Sequence, residues 1–128
     1  MNKQVLLIDD DEDEEEFFRT AVNSLNTDIA FAAINDSEKA FKELRRPEIL
    51  LPSVIFVDIN MPRFNGWEFL GELKKDKRLQ QIPVVMYSTS THVSDANRAV
   101  YLGALAFWTK PYRYTELAAR LENLIISL

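Results

Sequence analysis

Short apolar runs alternate along the chain with longer stretches in which apolar residues recur three or four positions apart. Val5-Leu6-Leu7-Ile8 is the first run, followed by Ile29 to Ala33, Val54-Ile55-Phe56-Val57, Val84-Val85-Met86-Tyr87 and Leu105-Ala106-Phe107-Trp108. Most are continuous rather than alternating, the pattern of strands covered on both faces. Between them Phe17, Phe18, Ala21, Val22 and Leu25 keep helical spacing, and Asn35-Asp36-Ser37 supplies capping residues ahead of Ala40, Phe41 and Leu44. Trp67, Leu70 and Leu73 make a third stripe. A fourth helix is predicted from near Ser94-Asp95, carrying Ala96, Ala99 and Val100 and stopping at Gly103, where a left-handed residue is favoured. A fifth carries Leu117, Leu121, Leu124, Ile125 and Leu128.

Five βα units without a repeat or linker predict an α/β domain, an open doubly wound parallel sheet spanning residues 1–128. A closed barrel of eight such units needs far more chain. Composition narrows the chemistry. With no Cys, disulfides, thiolate nucleophiles and zinc ribbons are excluded, and the lone His92 reads as a loop residue that builds no metal site by itself. A net charge of −5 has the wrong sign for binding nucleic acid through the overall field. No apolar run approaches the ~18 residues of a membrane span, and Met1-Asn2-Lys3-Gln4 lacks a signal peptide's apolar stretch. These features predict a cytoplasmic protein that binds neither nucleic acid nor membrane.

Ligands of open α/β sheets sit beyond the carboxyl ends of the strands. There the chain places Asp9-Asp10-Asp11, then Asp58 with Ile59-Asn60-Met61-Pro62, then Ser88-Thr89, and finally Thr109-Lys110-Pro111. Carboxylates gathered in one cleft repel unless they share protons or bind a cation. Mg²⁺, which binds through one or two carboxylates and otherwise keeps water or phosphate oxygens, suits this sparse set better than Ca²⁺. Ser88 and Lys110 then complement a phosphoryl group, and a carboxylate beside the ion is a possible phosphoryl acceptor.

Over nearly its whole length the chain resembles a response-regulator receiver domain of two-component signalling. The resemblance rests on the acidic pair Asp9-Asp10, on Asp58 followed by Met61-Pro62 and Gly66, on Ser88, and on Lys110-Pro111, all in order. It implies a flavodoxin-like sheet in the order 2-1-3-4-5 and a phosphoacceptor role for Asp58. It further implies Mg²⁺ held directly by Asp10 and Asp58, by Asp9 mostly through water, and by the backbone carbonyl of Asn60. Ser88 would bind a phosphoryl oxygen and Lys110 would neutralise it, ahead of a cis bond to Pro111. Phe107 falls at the aromatic switch position. Three positions depart from the family pattern. Thr89 replaces a smaller residue and narrows phosphoryl access, Phe107 lacks a tyrosine's hydroxyl, and Asn65 removes a negative charge before Gly66.

The expected function is that of a single-domain response regulator, a signalling switch rather than an enzyme. It takes a phosphoryl group from a sensor histidine kinase or phosphotransfer protein and then binds a downstream protein as a monomer or weak dimer. Two alternatives stay open. A Mg²⁺-dependent phosphatase of the haloacid dehalogenase type would use an Asp after strand one with a second Asp two residues on, a spacing that Asp9 and Asp11 provide. A phosphorylation-independent binding module would leave Asp58 and Lys110 without work. Elsewhere, Glu12 to Glu16 read as a solvated helix start, Trp108 as core cover, and Tyr101, Tyr112 and Tyr114 as a candidate recognition surface.

Overall fold

The computed structural model describes residues 3–128. Met1 and Asn2, with which the expected domain and the segment read for a signal peptide begin, lie outside the described residues. Strands and helices alternate as β1 (Lys3–Ile8), α1 (Glu12–Asn23), β2 (Ile29–Ile34), α2 (Ser37–Leu44), β3 (Val54–Asp58), α3 (Gly66–Lys75), β4 (Val84–Ser88), α4 (Val93–Tyr101), β5 (Ala106–Thr109) and α5 (Tyr114–Ser127). All paired strands run parallel, in the order β2-β1-β3-β4-β5. This is the flavodoxin-like α/β architecture.

Residues of opposite parity on a strand serve opposite faces, so each apolar run feeds two cores at once. Val5, Leu7, Phe56, Val85 and Tyr87 pack with α1 and α5 through Phe18, Val22, Leu117 and Leu121. Leu6, Ile8, Ile55, Val57 and Met86 pack on the other side against Ala40, Leu44, Phe69, Leu73 and Ala99. The need to fill both layers makes the runs continuous.

Several boundaries differ from the sequence reading. β5 lies one residue later than expected, so Leu105 is left exposed while its amide donates to the carbonyl of Val84. α1 ends at Asn23, and Leu25 packs from the following turn. Val100, expected on the buried stripe of α4, is 67% exposed, because that helix rests on the sheet through Ala99. On α3 the buried face is centred on Phe69 rather than Trp67, whose ring instead carries the Arg98 guanidinium 4.4 Å from its centroid. Gly103 ends α4 with φ 94°, as expected of a left-handed cap.

Candidate functional site

At the carboxyl end of β1 the Asp9 side chain is buried. Its Oδ1 accepts from the Asp11 amide at 3.0 Å, and its Oδ2 accepts from Lys110 Nζ at 2.8 Å. Asp10 is exposed, and Asp11 caps α1 by accepting from the Asp13 amide. Asp58, the last residue of β3, is buried and accepts from the Asn60 amide at 3.3 Å, with Lys110 Nζ 3.9 Å from its Oδ1. One carboxylate oxygen each from Asp9, Asp10 and Asp58 lies within 4.8 Å of the others. Strand parity accounts for much of this meeting. Asp9, Asp58 and Lys110 continue the series 5-7, 54-56 and 106-108, which face α1 and α5.

Burial pushes the Asp58 carboxyl above the usual aspartate range, and the charge of Asp9 pushes it the same way against the opposing pull of Lys110. Desolvation works against the Lys110 ammonium, yet the hydrogen bond and charge of Asp9, joined by Asp58 and Glu14, hold its pKa above the ordinary lysine value. Three carboxylates around a single ammonium therefore leave an excess of negative charge at this edge of the sheet. The donor set is all oxygen and close-set, as a hard divalent cation requires.

Ser88 is buried at the end of β4, where its Oγ accepts from the Ser90 amide at 3.1 Å and its O–H is left to donate. Thr89 follows it and is exposed. Phe107, of opposite parity to Lys110, lies half-buried on the α3–α4 side and does not join the acidic cluster. Trp108 packs on the α1–α5 side, 5.1 Å from the Phe56 ring. The Lys110–Pro111 peptide is trans rather than cis, since no cis bond occurs among the described residues. Trans is the lower-energy isomer even before proline.

The loop after Asp58 is fastened from several sides. Ser37 Oγ donates to the Phe64 carbonyl, and Arg63, with φ 64°, pairs with Asp36 at 3.0 Å and Glu38 at 2.9 Å. Asn65 forms a capping box with Glu68 at the start of α3, so the residue read as a missing charge serves as a helix cap. A Cβ on Gly66 would lie 2.5 Å from the Asp58 carbonyl oxygen, so only glycine lets α3 start this close to the site.

Sequence reasoning missed two neighbours. Glu14, read as solvated, is half-buried, and burial raises its carboxyl above the usual range, partly offset by Tyr87. It lies four residues before Phe18, on the inward face of α1, which was the available signal. Tyr87 is fully buried beneath Lys110, whose Nζ sits 5.5 Å from the ring centroid. Tyr101, Tyr112 and Tyr114 are exposed, as a recognition surface requires.

Comparison with known proteins agrees with this geometry. Residues 5–122 match the family described as the response regulator receiver domain. The chain belongs to that family. Receiver domains are signalling modules that partner histidine kinases, rather than catalytic enzymes. The probable transcriptional regulator ycf27 of Porphyridium aerugineum is 28% identical over 124 residues, covering 97% of this chain and 48% of the relative. This chain thus spans about half the length of that relative. A phosphorylated cyanobacterial phytochrome response regulator, RcpA, has a similar structure with TM-score 0.85 at 25% identity, covering 97% of this chain and 91% of that one. The bacteriophytochrome response regulator RtBRR gives TM-score 0.80 at 29% identity, covering 97% and 78% of the two chains. In this setting the acidic pocket is consistent with a phospho-accepting response regulator. No described helix is long and apolar enough to cross a membrane.

Proposed function

We propose that Asp58 accepts a phosphoryl group from a phosphohistidine donor in a Mg²⁺-dependent reaction, and that the phosphorylated form changes which protein it binds. The observation that carries this reading is the convergence of Asp9, Asp10 and Asp58 on one point with Lys110 between two of them. Asp9, Asp10 and Asp58, with the Asn60 carbonyl, would hold Mg²⁺. When bound, the ion supplies charge neutralisation between the acceptor and the incoming phosphoryl oxygens. An Asp58 carboxylate oxygen forms a bond to phosphorus as the phosphorus–nitrogen bond breaks, and the imidazole leaves with the electron pair and is protonated. Lys110 then neutralises one phosphoryl oxygen and Ser88 donates to another. Thr89, exposed beside Ser88, narrows the approach to Asp58, and Phe107 is the side chain whose burial responds. The tyrosines Tyr101, Tyr112 and Tyr114 offer a surface for the downstream partner.

The dehalogenase-type alternative fits less well, because Asp11 turns away to cap α1 while Asp58 joins Asp9. The test is transfer from a labelled phosphohistidine protein, with and without Mg²⁺, to the parent chain, Asp58→Asn and Asp9→Asn. Label that requires Asp58 and Mg²⁺ supports the reading. Label that persists in Asp58→Asn and is lost only in Asp9→Asn favours the phosphatase scheme, and no transfer leaves the binding-module alternative.

A further inference from the structure

Lysine presents a compact charge on a flexible four-carbon stem, so an ammonium that must meet a phosphoryl oxygen needs something to restrict it. Around Lys110 the charged partners are Asp9, Asp58 and Glu14. Two of these belong to the acidic cluster and would turn toward a cation. Glu14 is the third, and beside it the ammonium has a neutral neighbour, the Tyr87 ring, with Lys110 Nζ 5.5 Å from its centroid. An aromatic face within about 6 Å attracts an ammonium, more strongly where water is excluded.

The ring is itself immobilised. It is fully buried on β4, paired in register with Asp58 on one side and Trp108 on the other. Phe18 and Phe56 meet it edge-on at 5.6 Å and 6.0 Å between centroids. Its hydroxyl lies beside the Glu14 carboxyl. The packing of Phe18 and Phe56 against it fixes the plane of the ring.

We propose that Tyr87 is a positioning residue for Lys110, its ring face keeping the ammonium over the acidic pocket when Asp9 and Asp58 are engaged elsewhere. This rests on the receiver reading above. Phosphorylation of Asp58 by a small phosphoramidate donor with Mg²⁺ should slow roughly five- to tenfold in Tyr87→Leu. Tyr87→Phe, which keeps the ring, should restore most of the rate. In a Lys110→Met background Tyr87→Leu should cause no further slowing, because a ring that acts through Lys110 has nothing left to hold. The folded parent gives a second measurement that needs no leucine variant. Ring current should shield the Lys110 ε-methylene protons in the parent and in Tyr87→Phe. Ordinary ε-methylene shifts in the parent, a Tyr87→Leu rate equal to the parent's, or an equal loss in the Lys110→Met background each overturn the proposal. A parent that takes no phosphoryl group overturns the receiver reading itself, and this inference with it.

Discussion

At the scale of single residues the acidic site is held at the expense of stability, and the cost has a sign that can be measured. The folded pKa of Asp58 is raised from its ordinary 3.8, chiefly by burial. Below 3.8 both folded and unfolded chains hold the proton and the group has no effect; as pH rises, the unfolded chain releases it first, so stability falls through the window from 3.8 up to the folded value. Asp58→Asn should therefore raise the thermal midpoint near neutral pH, with the gain shrinking towards about pH 4. A gain that is constant across that range would contradict the assignment. Lys110 works in the opposite direction. Its side chain is 12% exposed and that of Asp9 is 0%, so this ion pair is largely withdrawn from water. Lys110→Met should cost about 3 kcal/mol in metal-free urea unfolding, because it leaves Asp9 charged and buried without its partner. Adding Asp9→Asn should recover much of that loss. Asp9, Asp10, Asp58, Ser88 and Lys110 were legible because each follows an apolar run. Glu14 and Tyr87 were not, since an acidic run masks its inward member and a strand tyrosine looks like core.

Among the elements, α3 shows most clearly how local structure serves the site. Its N-terminus lies against the end of β3, where Gly66 donates its amide to the Ile59 carbonyl at 2.9 Å. The atoms that a Gly66 side chain would meet are backbone, the Asp58 carbonyl oxygen at 2.5 Å and Ile59 Cα at 2.8 Å, so the strand end or the helix must move. Gly66→Ala should destabilise by about 3 kcal/mol or more and disturb the geometry at Asp58 as well. Equilibrium unfolding, read beside the Asp58 phosphorylation rate, checks both effects; an unchanged midpoint would show that α3 can retreat freely. Helix positions were legible from caps and spacing, Asp36 before α2 and Gly103 after α4 being examples. Which residue of a helix faces inward was less so. Phe69 displaced Trp67 on α3, and Val100 lies outside the contact that Ala99 makes on α4, because the inward face is set by the layer beneath rather than by the helix sequence alone.

At the scale of the whole molecule, alternation of apolar runs and amphipathic stretches was enough to give the sheet, its covering layers and the edge on which the acids converge. The order of the strands came from family resemblance. Contacts that depend on register, such as Tyr87 beside Asp58 and beneath Lys110, became visible only in three dimensions. The acidic cluster also links ion binding to the stability of the entire fold. A cation that binds only the folded chain at a hundred times its dissociation constant stabilises by about 2.7 kcal/mol. Mg²⁺ should thus raise the unfolding midpoint of the parent, and Asp10→Asn should remove most of that rise; an undiminished rise would place the ion elsewhere. The claim on which the rest depends is that Asp58 carries the phosphoryl group. Its most direct test is peptide mapping after exposure to a small phosphodonor with Mg²⁺ and after the same treatment with a chelator. An acyl phosphate on Asp58, present only with Mg²⁺, is the predicted result. A modified residue other than Asp58, or equal labelling without the ion, would contradict it.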